Sequence, residues 1–281
     1  MEKDLKIISE NLSLLSRRAE GCEKSRRHWL LELLKLFDNE GYVSQKDIAE
    51  KLRLLGVDKT DDLLCISRYL IENGKAELHP DFANVEQKLV FLKISCFESE
   101  LSRRSLNHFV GGVNFETLYR DSFVELFEDV YGERADFCIV PIENTGSGKL
   151  LNFYSMIINY NLKIVDICDI EHQNDDLRTR FALLSRGPLN LDISKSVGGC
   201  MEICITTDEG ENISKVLLAA ELCRMKPRRI DSVPYTHLKN RFSYFIGFKC
   251  GPDALAEDFL VLLSLWGISY TPIGVFWEKD E

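Results

Sequence analysis

The sequence predicts a multidomain chain of combined α/β and α+β class, with a helical head, a small α/β domain and a C-terminal ferredoxin-like unit. Apolar residues recur at helical spacing at the start of the chain. Beyond residue 87, short β-branched runs alternate with helical patterns, the mark of an α/β sheet. From residue 198 the order becomes βαββαβ, the ferredoxin-like plan. The expected domains are residues 1–86, 87–197 and 198–281. No apolar run approaches the ~18 residues that span a bilayer, so no membrane partner is expected.

In the head, Leu5, Ile8, Leu12 and Leu15 share one helical face, and Trp29, Leu30, Leu33, Leu34 and Phe37 repeat the pattern up to Asn39-Glu40-Gly41. Ser44 is placed to cap a helix over residues 45–52, with Asp47 completing a capping-box variant, and Gly56 ends it. Thr60 is read as the cap of a third helix carrying Leu63, Leu64, Ile66 and Leu70, and Asn73-Gly74 turns into a hairpin-like end. Three short helices and such an end match a winged helix. The run from Val43 to Ala76 resembles the DNA-binding domain of bacterial arginine repressors. The resemblance implies that the third helix enters a major groove, with Lys59, Arg68 and Lys75 as the candidate DNA-binding residues. Asp61-Asp62 opposes phosphate there, and a net charge of −10 excludes broad coating of nucleic acid while leaving a local basic face open. A helical dimerisation or interaction module stands beside the DNA reading.

The middle segment reads as a strand over 88–94, helices over 98–110 and 122–130, a strand from Ala135, a helix over 149–160, and strands over 162–168 and 179–184. Pro141, lacking an N–H, is expected at the end of the strand Phe137–Val140. Glu143 and Asn144 then stand at a carboxyl strand end, where open α/β sheets bind ligands, and Thr145-Gly146-Ser147-Gly148 is a turn able to offer N–H groups to an anion. The stretch from Asp136 through Val140-Pro141-Ile142-Glu143-Asn144-Thr145 to Gly148 resembles the motif of prephenate dehydratases, and Thr179-Arg180-Phe181 resembles their T-R-F motif. The resemblance implies a catalytic role for Thr179, with Arg180, Phe181, Glu143, Asn144 and Thr145 around it, in an α/β domain of periplasmic-binding-protein type. Dehydration of a dicarboxylate needs a cationic or N–H-rich cradle and a proton donor at the departing hydroxyl. Two departures change the meaning. The glycine turn of the family's first strand is replaced by Ile94-Ser95-Cys96-Phe97-Glu98. Only six residues separate His172 from Thr179, where the family inserts a second lobe, so a one-lobed remnant is expected.

The C-terminal unit is similar to the ACT domain that follows prephenate dehydratase domains, through Lys215-Val216-Leu217, Ile230-Asp231-Ser232-Val233-Pro234 and Phe242 to Phe248. That implies a homodimer and an effector, phenylalanine or another aromatic amino acid, near Glu211, Asn212, Ile213, Asp231 and Ser232. Nine scattered cysteines without C-x-x-C imply reduced thiols in a cytoplasmic protein, and five histidines unclustered with them argue against a metal site. No cofactor is implied. The charged N-terminus lacks the apolar core of a secretion signal. Three functions follow: a non-catalytic, amino-acid-responsive regulator, transcriptional in type; a divergent active prephenate dehydratase of phenylalanine biosynthesis; or a ligand-free scaffold.

Overall fold

The computed structural model describes residues 21, 23–38, 44–55, 57, 59–82, 91–146, 148–149, 153–172, 177–191, 198–208, 213–234 and 241–277. The chain divides into two compact units, Met1–Glu77 with Leu260–Ile268, and Leu78–Phe259 with Ser269–Glu281. The described part of the first unit contains α1 (23–38), α2 (Gln45–Leu54) and α3 (Thr60–Glu72). Leu30, Leu34 and Phe37, Ile48 and Leu52, and Leu63, Ile66 and Leu70 are buried, as helical periodicity requires. Trp29, expected on the inner face, is instead 69 % exposed. The Ser44 hydroxyl accepts the Asp47 N–H at 3.1 Å and donates to Asp47 Oδ2 at 2.7 Å, closing the start of α2. The cap of α3 falls one residue earlier than expected: Thr60 is helical, and Lys59 occupies the cap without a side-chain bond. The helix expected over 5–18 and the stops at 39–41 and Gly56 lie outside the described residues. Residues 75–79 form no strand, so no wing is built among the described residues. Glu77 and Gln45 exchange backbone-to-side-chain hydrogen bonds of 2.8 and 3.3 Å, which tie that segment to the start of α2.

The second unit is built on one mixed sheet. Its elements are β1 (Leu92–Phe97), α4 (Glu100–Phe109), β2 (Phe115–Arg120), α5 (Phe123–Tyr131), β3 (Phe137–Asn144), β4 (Gly148–Lys149), α6 (Phe153–Tyr160), β5 (Lys163–Glu171), β6 (Arg178–Ser185), β7 (Gly199–Asp208), α7 (Ile213–Leu222), β8 (Met225–Pro234), β9 (Arg241–Cys250), α8 (Ala256–Leu265) and β10 (Thr271–Trp277), α8 running across the boundary between the units. Strand order is β2-β1-β3-β6-β5-β10-β7-β9-β8, with β4 beside β3. The first three strands are parallel, and β6 runs antiparallel between β3 and β5. The last four strands keep the ferredoxin-like order, β10-β7-β9-β8, and are antiparallel. They join the rest through one parallel pairing, Gly274 opposite Ile164. A Cβ at Gly274 would lie 2.7 Å from the Ile164 Cβ and 2.8 Å from its carbonyl oxygen, so only glycine lets β10 approach β5 this closely.

Several boundaries move. Phe115–Arg120, unassigned from sequence, is an edge strand. Lys149 pairs with Glu143 in β4 and so is not helical, and the described helix runs over Phe153–Tyr160. The helical pattern from Ile213 runs in the sequence as far as Met225, but α7 ends at Leu222 and Met225 opens β8. Pro141 does not end its strand: β3 continues to Asn144 across a bulge between Pro141 and Glu143. A bulge absorbs the missing N–H and re-aims the residues beyond it.

The sheet separates two apolar clusters. One gathers Leu126 and Phe127 of α5, Phe153 and Ile157 of α6, and Val140 and Ile142. The other gathers Leu106 of α4 with Ile94, Ile139, Cys168, Ile170 and Phe181. Asp129 of α5 is fully buried and joins three segments. It binds Arg120 of β2 at 2.7 Å, Arg134 at 2.7 Å, and the Ser95 hydroxyl of β1 at 2.8 Å. Burial pushes its carboxyl up, but the bonds from Arg120, Ser95 and Arg134 win and hold it below the usual carboxylate value of 3.8. A depressed folded-state pKa gives stability that is present above that unfolded value and is lost as pH falls through the folded one. Asp129→Asn is expected to lower unfolding stability by about 3 kcal/mol, because two arginines lose a buried partner. Urea unfolding at neutral pH should show it, and the gap to wild type should narrow below pH ~4.

Candidate functional site

The strand register decides where the candidate residues point. Asn144 lies opposite Thr179, and Glu143 opposite Arg180. On the far side of β6, Thr179 faces Ile170 and Arg180 faces Asp169. Neighbouring residues of a strand point to opposite faces, so the motif residues divide into two groups. The bulge after Pro141 turns Ile142 and Glu143 together toward the α6 face and sends Asn144 to the other.

On the α4 side, Asn144 Nδ2 donates to Thr179 Oγ1 at 2.9 Å, and His172 Nε2 stands 2.8 Å from the same oxygen. Asn144 Oδ1 accepts the Gly146 N–H at 2.8 Å, which fixes its amide. Because Asn144 donates to Thr179, the Thr179 proton is free to pass toward an unprotonated His172 Nε2. A hydroxyl held between an amide donor and an imidazole is a proton-relay arrangement. Thr179 is only 6 % exposed. His172 did not enter the expected set, although its place at the end of β5 was visible in the sequence.

The neighbouring turn is spent on structure. Thr145 N donates to the Arg178 carbonyl at 3.0 Å, and Arg178 N donates to Thr145 Oγ1 at 2.9 Å. With Gly146 N also occupied, neither N–H is left for an anion, contrary to the cradle expected here; Ser147 lies outside the described residues. Phe181 is buried in the apolar cluster on the α4 side. His172 N donates to the Leu177 carbonyl at 2.8 Å, so β5 and β6 close as a direct hairpin and no second lobe stands between them. Glu98, whose charge would face a dicarboxylate, is exposed and 3.5 Å from Arg103.

On the α6 side, Arg180 binds both oxygens of Asp169, at 2.9 and 2.8 Å. That pairing, and the charge of Glu143 after it, holds the guanidinium above its usual value despite burial. Arg180, Glu143 and Tyr154 line a cavity of about 280 Å³ with Glu202, Arg228 and Arg229. Glu202 is buried and accepts the Tyr154 hydroxyl at 2.6 Å and Arg229 Nη2 at 3.3 Å. Sequence reasoning missed Glu202, although an acid inside the apolar run Cys200–Ile205 was a visible signal.

The expected effector residues do not converge. Asp231 pairs with Arg229 Nε at 2.6 Å, whereas Ser232, the next residue of the strand, points to the opposite face. Ile213 begins α7, and Glu211 and Asn212 lie outside the described residues. In the head, Lys59 and Arg68 line a groove of about 470 Å³ with Arg26 and Arg27. Asp62, expected to repel phosphate, is buried and bound by Arg26, with Nε to Oδ1 at 2.7 Å. Lys75 is apart from them: it pairs with Asp38, which also accepts the Tyr69 hydroxyl at 2.9 Å. Lys59 precedes α3 and Lys75 follows it, about 20 Å apart along a helix of 13 residues. Among the described residues no group of His, Cys, Asp and Glu is arranged to hold a metal, and no helix is long and apolar enough to cross a membrane.

The family model for prephenate dehydratase matches residues 101–173, a stretch that ends inside the hairpin link and before Thr179. No curated protein is significantly similar to the chain. Among solved structures, prephenate dehydratase from Streptococcus mutans is similar at TM-score 0.56 and 18 % identity, over 67 % of this chain and 100 % of that one. GqqA, described as a novel type of quorum-quenching acylase, is similar at 0.53 and 18 %, over 66 % and 95 %. The Arthrobacter aurescens prephenate dehydratase, solved with L-Phe, is similar at 0.51 and 13 %, over 66 % and 90 %. At these identities the likeness is one of fold.

Thr179→Val keeps the side-chain shape and removes the hydroxyl shared by Asn144 and His172. It should lower unfolding stability by about 1–2 kcal/mol, since the Asn144 amide loses its acceptor. Phe181→Ala should cost about 3–5 kcal/mol as a core deletion, and urea denaturation separates the two.

Proposed function

We propose that this chain is a non-catalytic regulatory protein built on a prephenate-dehydratase-like fold, dimeric through an ACT-type C-terminal unit, responsive to phenylalanine or another aromatic amino acid, and contacting DNA through its head. The observation that carries the reading is the closure of β5 onto β6, with His172 N bonded to the Leu177 carbonyl. A two-walled cleft orients substrate and excludes water, and these effects account for much of an enzyme's rate. Among the described residues the Asn144–Thr179–His172 relay has one wall only, and the Arg180 charge expected beside it points to the other face.

Two features support the regulatory parts. Strand β8 is the outer strand of the ferredoxin-like portion, and its Ile230 is exposed, a template for pairing with a second copy. In the head, the Arg26–Asp62 pair cancels half of the acidic start of α3, and Arg27, Lys59 and Arg68 line one groove together with Glu23 and Asp61. Lys75 is committed to Asp38 and is dropped from the contact set.

One observation favours a second reading, a divergent active dehydratase: the Thr179 hydroxyl keeps both its amide and its imidazole partner. In that case a partner chain supplies the missing wall.

Retention on genomic DNA fragments tests the regulator. Binding should weaken with salt, and Lys59→Ala and Arg68→Ala should each reduce the slope of log affinity against log salt by about one. Lys75→Ala should leave the slope unchanged and lower the head's stability. Absence of retention at low salt contradicts the DNA-contacting head.

A further inference from the structure

The cavity on the α6 face lies between the motif strand and the ferredoxin-like strands, on the other face of the sheet from the Thr179 relay; of the residues on which an effector was expected, Asp231 touches it, by holding Arg229. Its charges are mixed, and most are already paired. Arg180 is held by Asp169, and Glu202 by Tyr154 and Arg229. Two groups of opposite sign remain. Among the described residues, nothing bonds to the Glu143 carboxylate, although Glu143 feels the charges of Arg180 and Arg229. Arg229 uses Nη2 for Glu202 and Nε for Asp231, and its Nη1 has no partner among the described residues. Glu143 and Arg229 line the same cavity and do not pair with each other. The intervening wall is apolar, formed by Ile142, Ile167 and Phe276.

An unmet half-buried carboxylate calls for a cation, and an unmet guanidinium edge calls for a carboxylate. A dicarboxylate would satisfy Arg229 and be repelled by Glu143. A diamine would do the reverse. A zwitterion satisfies both, and about 280 Å³ suits a small metabolite rather than a peptide.

We infer that this cavity binds a free α-amino acid with an apolar side chain, its ammonium on Glu143, its carboxylate on Arg229 and its side chain against Ile142, Ile167 and Phe276. The inference deepens the regulatory reading by giving it a ligand site, and it rests on that reading only for what the ligand does.

Calorimetric titration of the full chain with L-phenylalanine, L-leucine, L-glutamate and L-lysine tests it. An apolar amino acid should bind, and its N-acetyl and carboxamide derivatives should each bind at least tenfold more weakly. Glu143→Gln should weaken the amino acid at least tenfold while leaving the ligand-free melting temperature unchanged, because among the described residues nothing bonds to the Glu143 side chain. Arg229→Met should do the same to affinity, with a lower melting temperature from the loss of Glu202's partner. Undiminished binding to Glu143→Gln overturns the cavity assignment and leaves amino-acid responsiveness in place at another site. Lack of binding by every amino acid overturns the cavity assignment and amino-acid responsiveness together, while salt-dependent DNA retention still judges the head. Preference for glutamate or lysine overturns the apolar, zwitterionic ligand class.

Discussion

The short link between β5 and β6 constrains everything around the candidate sites. Six residues separate His172 from Thr179, and the His172–Leu177 hydrogen bond closes them into a hairpin. Closure forces β6 into the sheet beside β5, and its other edge takes β3. Thr179 thereby meets Asn144 and His172 at hydrogen-bond distance, and Arg180 meets Asp169 and the flank of Glu143. A longer insertion at this point could build a second wall; this link cannot.

The second constraint is Pro141. A proline inside β3 costs one ladder bond, and the strand accommodates it with a bulge. Without the extra residue, Glu143 would share the face of Ile139 and point toward Thr179. With it, Glu143 shares the face of Val140 and Ile142 and opens onto the α6-side cavity. The same motif therefore faces two ways, toward the Thr179 hydroxyl shared with Asn144 and His172 on one side and toward a charged pocket on the other. Gly274 completes the pocket at a distance, since its close approach to Ile164 brings β7, β8 and β9, with Glu202 and Arg229, into the same sheet as β3.

Much of the fold was legible because it is local. Ser44 with Asp47 signalled a helix start, helical spacing picked out Leu34, Ile66 and Leu70 as core, and βαββαβ order described the C-terminal strands. Long-range geometry was not legible. Nothing near Gly274 or Ile164 announces their pairing, and FETLYR is too polar to read as a strand until β1 lies beside it. Asp62 misled on chemistry alone: it stands four residues before Ile66 and eight before Leu70, on the buried face where Arg26 meets it. For the candidate site, the residues were named from sequence, but their division between faces depended on a bulge that only the sheet register reveals.

Conversion of prephenate to phenylpyruvate by the purified full chain tests most directly whether the one-walled relay is catalytically silent. Neither wild type nor Thr179→Ala should form phenylpyruvate above the spontaneous background. Phenylpyruvate formed by wild type and lost in Thr179→Ala would show the relay to be an active catalyst and overturn the regulatory reading.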